Sequence, residues 1–150
     1  MIRIFNTFTS KKENFKPTTE NHVKMYVCGM TVYDDCHVGH ARVLIVFDLI
    51  YRWFLNSGFD VQYVRNITDI DDKIINKSNE QGCKFNELTD KYIESMHEDS
   101  KALNVIPPTF QPKATDAIPS MIKMINALVD KGFAYVGKNG DVFFEIAKFK

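Results

Sequence analysis

The chain has 150 residues, of which 45% are hydrophobic and 25% charged. That is the composition of a globular chain long enough to bury a core, and it excludes disordered, collagen-like and low-complexity architectures. Nineteen basic residues balance nineteen acidic ones, nine of each sign in residues 1–75 and ten of each in residues 76–150, so no basic tail or acidic block argues for binding nucleic acid through charge.

The opening MIRIFNTFTSKKENF lacks the unbroken apolar run of a signal peptide. Lys24 to Cys28 (KMYVC) reads as a short buried strand stopped by Gly29, and Met30 to His37 (MTVYDDCH) as a polar-aromatic loop. Gly39 to Ser57 reads as a helix. Its apolar residues (Val43, Ile45, Val46, Phe47, Leu49, Ile50, Trp53, Phe54) cover most of the circumference, so it is expected to be largely buried. Asp48 and Arg52 interrupt this segment, the most apolar in the chain, so it does not read as a membrane span. Val61 to Ile67 (VQYVRNI) reads as a second strand, and strand, helix and strand together predict a βαβ unit with parallel strands.

A helix is expected from the Thr68-Asp69-Ile70-Asp71-Asp72 segment to about Gln81, with Thr68 a candidate cap and Gly82 its breaker. A longer amphipathic helix is expected from about Asn86 to Leu103 with a stripe of Leu88, Tyr92, Met96 and Leu103. Val105 to Pro112, with three prolines in eight residues, reads as a boundary or change of module. A further helix is expected over roughly Thr115 to Lys131. Asn139-Gly140 between Phe133–Val136 and Val142–Ile146 predicts a β-hairpin.

Chemistry concentrates at three places. His37-Val38-Gly39-His40 opens the first helix. Two histidines three residues apart share a side of the first turn, where unpaired N–H groups and the helix dipole already favour an anion. Gly39 leaves room for a flat ring against the backbone, so the constellation suits a nucleotide triphosphate, at the strand-to-helix edge where open α/β sheets bind ligands. The competing structural reading is that one histidine caps the helix while the other lies on the surface. Cys28, at the end of the first strand, reads either as a packed thiol or as a thiolate metal ligand. No C-x-x-C or H-x-x-x-H partner occurs, so a four-ligand zinc site cannot be assembled from spacing. Cys36 and Cys83 carry no such context, and three cysteines without framework spacing point to a reduced, cytoplasmic protein. The Asn66–Lys73 cluster (NITDIDDK) reads either as holding an amine, a ribose or a magnesium-bound phosphate, or as helix capping with solvated charge.

Met25–Asp34 (MYVCGMTVYD), His37–His40 (HVGH) and Tyr63–Ile74 (YVRNITDIDDKI), with Ile4–Thr7 (IFNT) and Gly140–Phe144 (GDVFF), resemble the cysteinyl-tRNA synthetase family along essentially the whole chain. Val38 stands where the class I signature has Ile. The resemblance implies an α/β fold: the first half of a class I Rossmann-like parallel-sheet catalytic domain over residues 1–112, then the start of an α+β insertion module over 113–150. It implies activation of L-cysteine with ATP and Mg2+ to cysteinyl-adenylate, then transfer to tRNA(Cys). His37 and His40 match the catalytic, ATP-phosphate histidines and, with Gly39, the ATP site. Gly29, Thr31 and Thr68 match the cysteine pocket, and Cys28 matches the first of four Zn2+ ligands. A zinc that binds the substrate thiolate directly distinguishes cysteine from serine by softness rather than size.

The other three zinc ligands, a K-M-S-K-S run and an anticodon-binding domain are not found in the 150 residues. They are therefore expected to be the front part of a longer, monomeric enzyme, inactive alone and without tight zinc. Two alternatives accompany this reading. One is a cysteine ligase of mycothiol synthesis on the same core, a type that carries Pro where this chain has Val32. The other is a non-catalytic accessory fragment that binds nucleotide or RNA.

Overall fold

The computed structural model describes residues 2–149. Two strands, β1 (Arg3–Asn6) and β2 (Lys11–Asn14), form an antiparallel hairpin at the start. Neither strand shows an apolar alternation, so the sequence pattern does not announce them. Polar contacts at the turn hold the pair: Asn6 Oδ1 accepts from the Phe8 N–H, and Thr9 and Asn6 both donate to the Glu13 carboxylate.

The central unit is β3 (His22–Val27), α1 (Val38–Asn56) and β4 (Asp60–Arg65). β3 and β4 are parallel, with Val23 beside Val61, Met25 beside Tyr63 and Val27 beside Arg65. The expected βαβ unit is therefore present. Alternation along β4 sends Val61, Tyr63 and Arg65 inward. Phe54 packs with Val23 and Val61 in one core cluster, joined by Ile2, Phe15 and Phe59.

α1 is not largely buried, contrary to its apolar circumference. Leu44, Asp48 and Phe54 are its buried residues, while Leu49 and Trp53 are more than half exposed. The reason is coverage: the two strands and the 104–106 segment occupy one side of the helix and leave the other open. Asp48 is buried with a donor on each carboxylate oxygen: Oδ2 takes the Arg52 Nε–H at 2.6 Å and Oδ1 the Ile106 N–H at 2.8 Å. Arg52 also donates to the Asn104 carbonyl.

Two helices, α2 (Asp72–Gln81) and α3 (Phe85–Ala102), follow β4. Asp71 rather than Thr68 caps α2, its Oδ1 accepting from the Lys73 N–H. Thr68 stands four residues before α2 begins, in the parallel bridge with Thr31, and so lies outside the cap position. Gly82 ends α2 at φ +65°, a left-handed conformation that glycine adopts without steric cost. Leu88, Tyr92 and Met96 of the expected α3 stripe are buried with Val32, Ile67, Ile74 and Ile93, whereas Leu103 lies past the helix end and is exposed.

The proline-rich stretch is stitched to the sheet. Phe110 donates to the Tyr63 carbonyl, and the Phe110 and Pro112 carbonyls accept from Arg65 and Ile67 N–H, so this segment runs parallel to β4. Ala114 N–H donates back to the Ile67 carbonyl, so two carbonyls and two N–H groups hold the ladder, and Pro112 contributes through its carbonyl alone. α4 (Ala114–Asp130) then leads to the antiparallel hairpin β5 (Ala134–Val136) and β6 (Val142–Phe144), whose turn contains Gly140 at φ +89°. Phe149 folds back onto Phe133 and Phe144. Among the described residues no helix is long and apolar enough to cross a membrane.

Ile74→Ala is expected to cost about 2–5 kcal/mol by opening a cavity in the larger cluster, since Ile74 is fully buried. Leu49→Ala, on the open side of α1, should change stability by less than about 0.5 kcal/mol. Urea midpoints at unchanged slope test both.

Candidate active site at the edge of the parallel strands

The two parallel strands end side by side and their loops continue the pairing. Thr68 N–H donates to the Met30 carbonyl and Val32 N–H to the Thr68 carbonyl, placing Thr31 opposite Thr68. Gly29 lies between, and its N–H donates to Asn66 Oδ1 at 2.7 Å. A Cβ at Gly29 would stand 1.5 Å from the Asn66 carbonyl oxygen, so no side chain fits without moving backbone. Glycine is required here for close approach, with no left-handed turn involved.

A cleft of about 280 Å³ opens above this edge; Cys28, Gly29, Thr31, His40, Asn66 and Arg65 contribute to its lining. Cys28 is exposed and faces the cleft rather than the apolar interior. Of the residues singled out from the sequence, Cys28, Gly29, Thr31 and His40 share this wall. His37, Gly39 and Thr68 stand beside it. Asn66, the first residue of the Asn66–Lys73 cluster, belongs to the cleft, and so does Arg65, which was not among the singled-out residues. Arg65 had a readable signal, a charged residue at an inward position of an alternating strand.

Both histidines cap α1. His37 Nδ1 accepts from the Gly39 N–H at 3.0 Å, and His40 Nδ1 accepts from the His37 N–H at 3.3 Å. The rings stack with centroids 3.8 Å apart. The structural reading of one capping and one surface histidine is thus replaced by a reciprocal cap. The hydrogen-bond network assigns the proton of each neutral ring to Nε2, leaving two N–H donors beside the helix N-terminus. Gly39 makes this possible in an unforeseen way: a Cβ there would come within 2.7 Å of the His37 ring. The room it leaves is used by His37 itself. Desolvation, and then the neighbouring His37, hold the His40 pKa below the ordinary imidazole value.

The acidic cluster divides into structural tasks. Asp69 is buried and accepts from the Thr115 N–H at 3.0 Å and from its hydroxyl, fixing the start of α4. Asp71 caps α2 through Oδ1, so Asp69 is committed to Thr115 while Asp71 serves the helix with one of its two oxygens. Cys36 is half-buried against Met30, and its thiol is pushed up to about 11 by desolvation and then by Asp99. Among the described residues no three His, Cys, Asp or Glu side chains converge on a metal position. Cys28 thus supplies one soft donor where a structural zinc needs four, and the described residues do not form a zinc site by themselves.

The family model for tRNA synthetases class I (C) catalytic domain matches residues 14–150. The chain belongs to this family. It is 56% identical over 149 residues to a cysteine--tRNA ligase of Pseudomonas fluorescens, covering 99% of this chain and 32% of that protein. A cysteine--tRNA ligase of Pseudomonas putida gives 56% identity with the same coverage. One from Thioalkalivibrio sulfidiphilus is 55% identical over 150 residues, or 100% of this chain and 33% of the relative. The chain spans about a third of the length of these curated relatives. Within this class I synthetase segment, the strand edge and the histidine-capped helix form the candidate site.

Three outcomes test this geometry. Gly29→Ala should cost about 3 kcal/mol or more, because the added methyl meets backbone; a near-wild-type urea midpoint would contradict the close approach. Iodoacetamide at pH 8 should modify Cys28 well before Cys36, as peptide mapping can show, since the thiolate is the nucleophile. The depressed His40 pKa means that the unfolded chain binds a proton more readily. Stability is then complete above the ordinary histidine value of about 6.5 and is lost as pH falls through it towards the folded value. The stability gap between wild type and His40→Ala should therefore narrow from pH 7.5 to 5.

Proposed function

We propose that this chain carries the cysteine and ATP half-site of a cysteine--tRNA ligase, an ATP-dependent enzyme that forms cysteinyl-adenylate and then Cys-tRNA(Cys). The observation that carries the reading is that the Cys28 thiol and the His40 imidazole face one cleft at the strand edge. In this reading residues 1–112 are the first half of a Rossmann-like catalytic domain and residues 113–150 begin an insertion module. The protein acts as a monomer in the cytoplasm.

The cysteine carboxylate attacks the α-phosphate of ATP. A new C–O–P linkage forms and the bond to the bridging oxygen breaks, releasing magnesium-bound pyrophosphate. His37 and His40 donate Nε2–H to phosphate oxygens and stabilise the charge that grows there, acting as fixed dipoles already oriented by the cap. Gly39 keeps His37 in position. Gly29, Thr31 and Thr68 form the amino-acid side of the site. Cys28 would supply one thiolate ligand to a zinc, and the described residues offer no set of further donors beside it. Bound zinc supplies selectivity for a thiolate over a hydroxyl.

A chimera tests this: the chain replaces the corresponding third of the Pseudomonas fluorescens cysteine--tRNA ligase. Cysteine-dependent exchange of ATP with pyrophosphate should be retained. Cys28→Ser should raise the KM for cysteine far more than that for ATP. His40→Ala should slow single-turnover adenylate formation at least about a hundredfold, the lower range for losing such a donor, with cysteine affinity nearly intact. Equal damage to both substrates by Cys28→Ser would overturn the thiol role.

A further inference from the structure

Asn66 stands just past the end of β4, half-buried on the wall of the cleft. The strand's alternation continues through it: Arg65, Ile67 and Asp69 are buried, while Asn66 and Thr68 share the other side of the chain. The Asn66 amide is committed in one sense. The Gly29 N–H, 2.7 Å away, can only donate, so the oxygen of the amide must face it. The nitrogen then faces Thr68 Oγ1 at 3.4 Å and donates to it. One side chain thus touches two of the three residues on the amino-acid side of the site.

A threonine hydroxyl has one proton and two lone pairs. Thr68 Oγ1 accepts from Asn66 Nδ2, so its proton is aimed away from Asn66. A hydroxyl set in this way seeks an acceptor. In cysteine the carboxylate and the thiolate are acceptors, whereas the ammonium has only protons to give. On the reading of this edge as a cysteine site, we infer that Asn66 is a positioning residue for the amino acid, acting through Thr68: its amide turns the Thr68 hydroxyl outward as a hydrogen-bond donor to the carboxylate or thiolate of the bound cysteine. The Gly29 N–H is what fixes the amide in that sense, so the steric contact between the strand ends also sets the polarity of the pocket.

The test uses the same chimera, with Asn66→Asp as the diagnostic variant. Aspartate keeps an acceptor for the Gly29 N–H, has no N–H for Thr68, and draws the Thr68 proton back towards itself. The KM for cysteine should rise about tenfold or more, the effect of losing one hydrogen bond to a charged group, while the KM for ATP changes by less than about twofold. A double-mutant cycle separates this from the effect of the added charge. Thr68→Val should itself raise the KM for cysteine, and in that background Asn66→Asp should add less than about twofold. Asn66→Ala goes through the same cycle if the aspartate variant does not fold. Inhibition by cysteamine, a thiol without a carboxylate, assigns the partner: weakening in step with the KM marks the thiolate, and unchanged inhibition marks the carboxylate. An unchanged KM for cysteine in Asn66→Asp, or full additivity with Thr68→Val, removes Asn66 from substrate positioning and leaves the proposed function standing. An unmutated chimera without cysteine-dependent exchange takes both down.

Discussion

The approach of Gly29 to the Asn66 carbonyl governs this structure. It brings the ends of two parallel strands closer than any side chain allows, and Asn66 returns the contact by accepting the Gly29 N–H. Thr31 and Thr68 can then pair, and the loop after β3 turns towards α1 with its N-terminus at the same edge. Cys28 and His40 line one cleft as a consequence. The contact is steric, so salt and pH should leave it untouched while a single methyl group disrupts it.

The helix N-terminus shows how a stabilising device and a binding surface can use the same atoms. Each imidazole gives one nitrogen to the backbone and keeps the other for a ligand. Capping removes rotational freedom from both rings before any phosphate arrives, which lowers the ordering cost of binding. Protonation spoils this arrangement, since a charged imidazole has no acceptor nitrogen left for the cap. Desolvation of His40 works against that change.

Much of the architecture was legible because it follows from periodicity and punctuation. The β3–α1–β4 unit, Gly82 as a stop and the Asn139-Gly140 hairpin were readable in this way. What escaped has physical causes. The β1–β2 hairpin is held by side-chain hydrogen bonds rather than by an apolar face. The burial of α1 was overstated because periodicity reports what a helix can cover, not how much sheet lies against it. Asp69 looked free for a ligand because its partner, Thr115, is 46 residues away in sequence. Cys28, Gly29, Thr31 and His40 line one cleft, and Arg65 was passed over inside a strand.

The two borders of the parallel pair are unequal. Beyond β4, the 109–114 segment closes the ladder with the Phe110 and Pro112 carbonyls and the Phe110 and Ala114 N–H groups, and its neighbouring prolines have no N–H with which to seat a newcomer. β3 has a strand on one side only among the described residues. Growth of the sheet is therefore directional: another parallel strand has a place alongside β3, next to the loop bearing Cys28.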